Sequence, residues 1–320
     1  MKRLAFLALS ATMALGALAT PAMAQTREVA ISYVTAPFNV PSIIMRKQGF
    51  LDAAFADKGV RLTHPEITSG AAQTQAIAAG ELQIASVLGG TSAILANANG
   101  ADVVVIGAYA RAPKAYMLMT TAGGPADIAG LRGKKIAGPK GTTLNQLLAA
   151  ALAKAGMTLD DVEYLNMDLP TARAALLSGQ VDAATLAGAN ATQVEQAGGR
   201  IIADGEGLIA PTTVIGSSRA FVEANPDLVE AYFSAHRKAL DFMRDHPEEA
   251  LAIAAEDQGI SLDEARRQFA LYDFTPRMTE ADIANMAEDQ KFMVEAGMLG
   301  ADRSIDIGKA LVMPVAFTID

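Results

Sequence analysis

The sequence predicts an α/β protein built as two lobes and followed by a region that is almost wholly helical. From residue 28 onwards, short apolar segments alternate with longer segments of helical periodicity. The alternation runs once through residues 29–108 and again, on a smaller scale, through residues 115–203. After residue 217 only helical patterns remain. Strands that alternate with helices in this way favour parallel sheets with helices packed on their faces.

Each predicted strand ends in a polar or glycine-containing turn that leads into a helix. The predicted strands of the first lobe cover residues 29–34, 60–67, 82–87 and 103–108. Those of the second lobe cover residues 115–120, 135–137, 162–166, 181–186 and 200–203, and residues 212–217 form a strand leading out of it. The first helix is entered at Pro41, a residue suited to a first helical turn, and is interrupted near Gly49.

The C-terminal region predicts four helices. The first is opened by Asn225 and Pro226, and the second begins near residue 247. The third begins at Ser261, where a serine followed three residues later by a glutamate forms a capping-box pattern. The fourth runs from Thr279 to about residue 296.

The turn after residues 135–137 is the most informative short stretch of the chain. Gly141, Thr142 and Thr143 lead into a helix whose apolar residues recur at helical spacing from Leu144 onwards. A helix start carries backbone N–H groups without helical partners, and it attracts anions. The stretch therefore predicts an anion-binding helix start. An ordinary capped helix remains the alternative interpretation of these residues.

The N-terminus predicts export. Lys2 and Arg3 precede an apolar run over residues 4–19 and an A-x-A site at residues 22–24, as in a secretory signal peptide. Cleavage after Ala24 would leave an exported mature chain of 296 residues. Because the segment carries two basic and no acidic residues, its removal changes the net charge from −9 to −11.

Composition excludes several classes of function. The chain has no cysteine, so disulfides, thiolate metal sites, cysteine nucleophiles and a lipoprotein anchor are excluded. No later stretch approaches the ~20 apolar residues of a membrane span, and the acidic charge disfavours nucleic acid and anionic membrane surfaces. His64, His236 and His246 lack metal-ligand spacing. No cofactor and no catalytic residue is predicted, since G-x-S-x-G and H-E-x-x-H are both absent.

The candidate ligand site lies where the predicted strands end, because ligands on open parallel sheets gather at the carboxyl ends of the strands. The candidates are Phe38, Asn39, Ser69, Gly70, Gly90, Thr91 and Ser92 in the first lobe, Gly141, Thr142, Thr143, Gly188 and Asn190 in the second, and Tyr109 and Arg111 between them. Hydroxyls, amides and backbone N–H groups dominate this set and suit a small polar or anionic ligand. Each threonine or serine could instead be only a cap, each ring only a core residue, and Arg111 only a surface charge.

Several segments together are similar to one family. Residues 36–39, with the Gly-Phe and Gly-Val pairs at 49–50 and 59–60, resemble the opening of the solute-binding proteins of ABC transporters. Residues 75–85, 127–136, 140–143 and 172–183 are similar to further blocks of its nitrate, sulfonate, taurine and thiamine-pyrimidine-precursor branch. The resemblance covers about residues 28–250.

This resemblance implies a type II periplasmic-binding-protein fold that closes on its solute like a Venus flytrap. After the signal peptide of residues 1–24, it implies lobe I over residues 25–110 plus 211–320 and lobe II over residues 111–210. Two hinge crossings are expected near residues 109–115 and 203–213. The implied partners are a small-molecule solute and the transmembrane subunits of an ABC permease, and the protein is expected to be a monomer.

The resemblance leaves the ligand open. A small organic anion, a sulfonate or a carboxylate, suits the helix starts. A neutral heteroaromatic such as a pyrimidine suits Phe38, Tyr33 and Tyr109, and also the small residues at 187–190, where sulfonate binders often carry bulkier or acidic ones. An exported enzyme on the same fold and a ligand-loaded partner of a membrane sensor are the other functions that the sequence allows.

Overall fold

The computed structural model describes residues 27–34 and 38–319, with only the backbone of Arg27. The predicted signal peptide and its cleavage after Ala24 lie outside the described residues, and so do residues 35–37. Within the described part of the chain, no helix is both long and apolar enough to cross a membrane.

All ten predicted strands are confirmed, with bounds that shift by a few residues. The strands are β1 Arg27–Ala30, β2 Val60–Thr63, β3 Ile84–Gly89, β4 Val104–Arg111, β5 Tyr116–Thr120, β6 Lys135–Gly138, β7 Glu163–Asn166, β8 Ala183–Ala187, β9 Arg200–Asp204 and β10 Thr212–Ser217.

The predicted helices are also found. They are α1 Val40–Lys47, α2 Phe50–Phe55, α3 Gly70–Ala78, α4 Gly90–Ala98, α5 Thr143–Lys154, α6 Leu169–Leu177, α7 Ala189–Gln196, α9 Pro226–Asp245, α10 Pro247–Gln258, α11 Leu262–Phe269 and α12 Glu280–Glu295, together with α8 Arg219–Ala224, which was not predicted. The interruption between α1 and α2 falls at Gly49, whose φ of 67° is costly for a residue with a side chain.

The sheet of the first lobe is mixed rather than parallel. β1 pairs with β2 in parallel, and a parallel bridge between Ile31 and Ile84 joins this pair to β3. β10 lies between β3 and β4 and runs antiparallel to both. The expectation of a purely parallel sheet is therefore wrong here. β10 enters from the second lobe, so it runs against the strands that the first lobe forms by itself.

The sheet of the second lobe repeats this arrangement in the order β7-β6-β8-β5-β9. β6 is parallel to β7 and β8, whereas β5 is antiparallel to β8 and β9. β5 follows β4 directly, so it is the strand that has just crossed from the first lobe. Each lobe thus receives one reversed strand from the other side of the hinge.

The core of the first lobe lies on both faces of its sheet. Successive side chains of a strand point to opposite faces. Along β4, Val104 and Ile106 pack in a cluster with residues of α1, α9 and α10. Val105 packs in a second cluster with residues of α4 and α12. This packing fixes the starts of α1 and α4 relative to the sheet.

The two chain crossings lie side by side, over residues 112–115 and 205–211. The Gly205 N–H donates to the Tyr116 carbonyl at 3.1 Å, and Lys114 pairs with Glu206 at 3.0 Å. A Cβ at Gly205 would lie 2.4 Å from the Pro113 carbonyl oxygen, so only glycine allows this approach. The crossings overlap the predicted hinge segments, of which residues 109–111 belong to the end of β4.

Candidate ligand-binding site

Two helix starts of the first lobe lie against each other. A Cβ on Gly70, the first residue of α3, would come within 2.3 Å of the Ser92 Oγ in the first turn of α4. Ser69 caps α3 by accepting the Ala72 N–H at 3.4 Å. Among the described residues no side chain caps α4, which begins after Gly89. The first N–H groups of α4, beside Gly90 and Thr91, are therefore left for other acceptors.

The two threonines at the start of α5 differ in the hydrogen bonds that their hydroxyls make. Thr142 is the cap: its Oγ1 accepts the Leu144 N–H at 3.2 Å and donates to the Pro139 carbonyl at 2.8 Å. The half-buried Thr143 makes no side-chain hydrogen bond to any described residue. Gly141 has a φ of 77° and donates its N–H to the Asn145 Oδ1 at 3.1 Å. The Thr143 hydroxyl is thus the one still available to a ligand.

The start of α7 lines a cavity between the lobes. Gly188 precedes α7 with a φ of 57°, and in the described chain no side chain caps the helix. The Asn190 Oδ1 accepts from the Arg173 Nη1 at 3.1 Å. Gly188 lines a cavity of about 390 Å³ with Met117 from β5, and with Leu271 and Tyr272 from the first lobe.

Three of the candidates lie in the core. Phe38 is 1% exposed and packs edge-to-face on Tyr272 at 6.1 Å. Asn39 is fully buried, donates to the Val34 carbonyl at 2.7 Å and accepts from Gln258 at 3.1 Å. Tyr109 is 1% exposed, and its hydroxyl accepts a backbone N–H of α1 at 3.2 Å. These side chains position α1, and we leave them out of the proposed ligand contacts.

Arg111 makes a partly buried ion pair with a buried carboxylate. Its Nε and Nη2 donate to the two carboxylate oxygens of Asp282 at 2.6 and 2.7 Å. Its Nη1 and Nη2 also donate to the carbonyls of Thr275 and Arg277 at 2.8 and 3.0 Å. The sequence allows either a surface charge or a ligand clamp for this residue, and the structure shows this ion pair. The partners come from the C-terminal region, 171 residues away for Asp282.

Two polar contacts between the lobes were not predicted. The Gln146 Nε2 in α5 donates to the Asp289 Oδ1 in α12 at 2.7 Å, and the Thr192 Oγ1 in α7 donates to Glu264 in α11. Asp289 is 4% exposed, and its burial raises the pKa of the carboxyl to about 6. Gln146 and Asp289 are 143 residues apart, and neither lies in a pattern that singles it out.

Replacing Asp289 by asparagine is expected to stabilise the protein at pH 7.5 by about 2–3 kcal/mol, because the shift from 3.8 to about 6 makes the charged form costly in the folded state. The raised pKa means that this penalty disappears as the pH falls through 6 towards 4. Urea unfolding at pH 7.5 and pH 4 measures the difference. A variant less stable than the parent at pH 7.5 would contradict the prediction.

The described residues contain no group of three or more His, Asp or Glu side chains that could hold a metal ion. The candidate site offers backbone N–H groups, hydroxyls and small apolar surfaces at the starts of helices in both lobes.

A family model described as "NMT1/THI5 like" matches residues 41–250. This range covers most of the described chain, including both crossings and the starts of α3, α4, α5 and α7. The chain belongs to the NMT1/THI5-like family. In this chain the family's fold has two lobes joined by two crossings, and each lobe contains one reversed strand.

Proteins similar to this NMT1/THI5-like chain are named as binding proteins. A binding protein of Brucella abortus (strain 2308) is 31% identical to this chain, and the match covers 80% of this chain and 78% of the relative's length. A protein of Escherichia coli (strain K12) named as aliphatic sulfonates-binding is 25% identical over 81% of each chain.

Solved structures show the fold. The periplasmic aliphatic sulphonate binding protein SsuA from Escherichia coli has a TM-score of 0.79, 21% identity, and coverage of 89% of this chain and 97% of its own. The desulfurization enzyme DSZB has a TM-score of 0.67 and 17% identity, over 91% of this chain and 97% of its own. The chain therefore has the two-lobed periplasmic-binding-protein fold, on which both binding proteins and an enzyme are built.

Proposed function

We propose that the protein is the periplasmic substrate-binding component of an ABC importer, and that it captures a small organic anion of the sulfonate or carboxylate type between its lobes. The family, and the sulfonate-binding relative that is similar over 81% of the chain, support this function. The proposed partners are the solute and the transmembrane subunits of the permease. The signal peptide, and a monomeric state in the periplasm, belong to the same proposal.

The single observation that carries the ligand class is that α4 and α7, whose starts are candidate ligand contacts in the two lobes, have no side-chain cap among the described residues. α4 in the first lobe and α7 in the second both begin after a glycine, Gly89 and Gly188. Backbone N–H groups at such starts bind oxyanions, and the helix dipole adds a favourable field. Because Arg111 is paired with Asp282, these N–H groups and the Thr143 hydroxyl remain as donors for the anion.

The lobe boundaries proposed from the sequence, residues 25–110 plus 211–320 and residues 111–210, place each five-stranded unit on one side of the crossings. Binding between the lobes should then close them about residues 112–115 and 205–211. Small-angle scattering of the mature protein should show a smaller radius of gyration when ligand is added. Saturating binding with an unchanged radius would speak against closure.

Ligand identity is tested by mass spectrometry of the compound released when periplasmic protein is denatured, followed by calorimetry with ethanesulfonate, butyrate and a pyrimidine. We expect the sulfonate or the carboxylate to bind and the pyrimidine not to. Two of the rings that favour a heteroaromatic ligand, Phe38 and Tyr109, are buried in the core, and Arg46 covers a face of Tyr33 at 3.9 Å. Turnover of the bound compound would identify an exported enzyme instead.

Replacing Thr143 by valine is expected to weaken binding of the anion about tenfold, since a hydrogen bond to a charged group contributes about 1.5 kcal/mol or more. The variant should melt as the parent does, because Thr142 provides the cap. Thr142→Ser, which keeps the capping hydroxyl, is the matched control and should bind normally. Unchanged affinity in Thr143→Val would remove this hydroxyl from the proposed site.

A further inference from the structure

A second, larger groove lies beside the hinge. Its volume is about 1080 Å³, and it runs between α5 of the second lobe and α12, with residues 207–210 of a crossing along it. None of its lining residues belongs to the starts of α4 or α7, and its lining on α5 begins at Gln146, three residues after Thr143. The groove therefore adjoins the first turn of α5 without reaching the starts of α4 and α7, and its walls also come from both sides of the hinge.

The groove offers an apolar surface to a ligand. Its wall on α5 is made of Ala149, Ala150 and Ala153, and Phe292 lies on α12. Alanine side chains leave room, and the aromatic ring provides a flat contact surface. Most ligand sites combine apolar walls like these with a few polar groups.

The charges around the groove are mostly negative. Four carboxylates line it, from Asp160, Glu288, Asp289 and Glu295, against one ammonium, Lys291. Lys291 already pairs with Glu288 at 3.7 Å. The C-terminal end of α12, whose carbonyls attract cations, borders the groove as well. The field therefore disfavours an anion here and favours a cation.

The most buried of these carboxylates has no cation partner in the described chain. Asp289 is 4% exposed, and its hydrogen-bond partner is the neutral Gln146 amide at 2.7 Å. The Gln146 Oε1 is itself buried and accepts no hydrogen bond from any described group. A buried carboxylate without a counter-charge is costly, and so is a buried acceptor without a donor. An ammonium group, with three N–H donors and a positive charge, would satisfy both.

We propose that this groove binds a small organic ammonium ion, with the charged nitrogen at Asp289 and Gln146 and the apolar body along α5 and Phe292. Because α5 and α12 lie on opposite sides of the crossings, the bound cation links the two lobes. The groove is thus a second binding site, distinct in ligand charge from the proposed anion site.

The test uses the full mature protein and three probes of similar shape. Cyclohexylmethylammonium, cyclohexylmethanol and cyclohexanecarboxylate are titrated by calorimetry at pH 7.5. We expect the ammonium ion to bind at least tenfold more tightly than the alcohol or the carboxylate. The absence of ammonium binding at millimolar concentration, or equal binding of the alcohol, would overturn the proposal.

Two variants and a control locate the site. Asp289→Asn should weaken ammonium binding at least tenfold, and its melting curve shows that it is folded. Ala153→Phe fills the groove from an exposed helical position without changing any charge, and it should also abolish binding. Glu256→Gln, which removes an exposed carboxylate of α10 away from the groove, should bind as the parent does. Equal loss in the Glu256 variant, or no loss in either groove variant, would show that the cation binds elsewhere.

Binding of ethanesulfonate or butyrate is measured on the same variants. Asp289→Asn and Ala153→Phe should retain it, because neither residue lies at the starts of α4 or α7. These measurements therefore test the proposed anion site and the proposed cation groove separately.

Discussion

Replacing Arg111 by leucine is expected to destabilise the folded protein by about 3–5 kcal/mol, because it removes one partner of a buried ion pair and leaves the other charge uncompensated. The side chain of Asp282 is 2% exposed, and that of Arg111 is 21% exposed. Burial by itself would raise the pKa of the Asp282 carboxyl, but hydrogen bonds from Arg111 and Thr279 hold it below its ordinary value. Two carbonyls, of Thr275 and Arg277, would lose a donor as well.

The measurement is urea unfolding at pH 7.5, with Arg244→Leu as the matched control. Arg244 also pairs with two carboxylates, Asp241 and Asp245, but its side chain is 67% exposed. Exposed pairs contribute about 0–1 kcal/mol, so this control should change little. If Arg111→Leu were as stable as the parent but lost anion binding, Arg111 would be a ligand clamp and its ion pair would be incidental.

Replacing His236 by phenylalanine is expected to reduce, by about 3 kcal/mol, the loss in the free energy of unfolding that acidification causes. His236 is fully buried beside the rings of Tyr109 and Tyr232, and neither ring nitrogen has a hydrogen-bond partner in the described structure. Burial, and secondarily the charge of Arg237, lower the pKa of the imidazole from 6.5 to about 4. The folded protein cannot take up this proton until about pH 4, whereas the unfolded chain takes it up near 6.5. Stability from this group is therefore complete above pH 6.5 and is lost as the pH falls towards 4.

Asp289 acts in the opposite direction over nearly the same range. Its raised pKa of about 6 makes the folded protein take up a proton before the unfolded chain does, so stability increases as the pH falls from 6 to 4. In the parent the two effects oppose each other. His236→Phe should therefore become more stable relative to the parent on acidification, and Asp289→Asn less stable.

Urea unfolding of both single variants and the double variant, at half-unit steps from pH 7.5 to pH 4, separates the two groups. The sites should be additive, because His236 and Asp289 share no partner in the structure. A pH profile of His236→Phe that is parallel to that of the parent would contradict the assignment of the buried neutral imidazole.

Local sequence pattern predicts all ten strands and every α-helix of the described chain except α8. Neighbouring residues predict the apolar strands at residues 103–108 and 212–217, the glycine break at Gly49 and a cap at Thr142 or Thr143. The structure contains each of them, with Thr142 as the cap. These features depend on β-branching, helical periodicity and backbone conformation within a few residues of the chain. Such signals are present in the sequence itself.

Strand direction and side-chain roles depended on distant parts of the chain. β5 and β10 are antiparallel because each inserts into the sheet of the other lobe, and no residue within these strands records that crossing. The sequence leaves Tyr109 as either a ligand contact or a core residue, and the structure places its side chain in the core beneath α1. Local sequence establishes that a residue ends a strand, but the packing around that end decides whether its side chain faces the cleft or the core.

The polar residues show the same division most clearly. The sequence alone indicated exported binding-protein architecture and a set of helix starts suited to an anion. Only the tertiary structure paired Arg111 with Asp282 and placed Asp289 against Gln146. The physical reason is that a buried charge is governed by the partner and the solvent exclusion that folding brings to it, and those partners are 171 and 143 residues away along the chain.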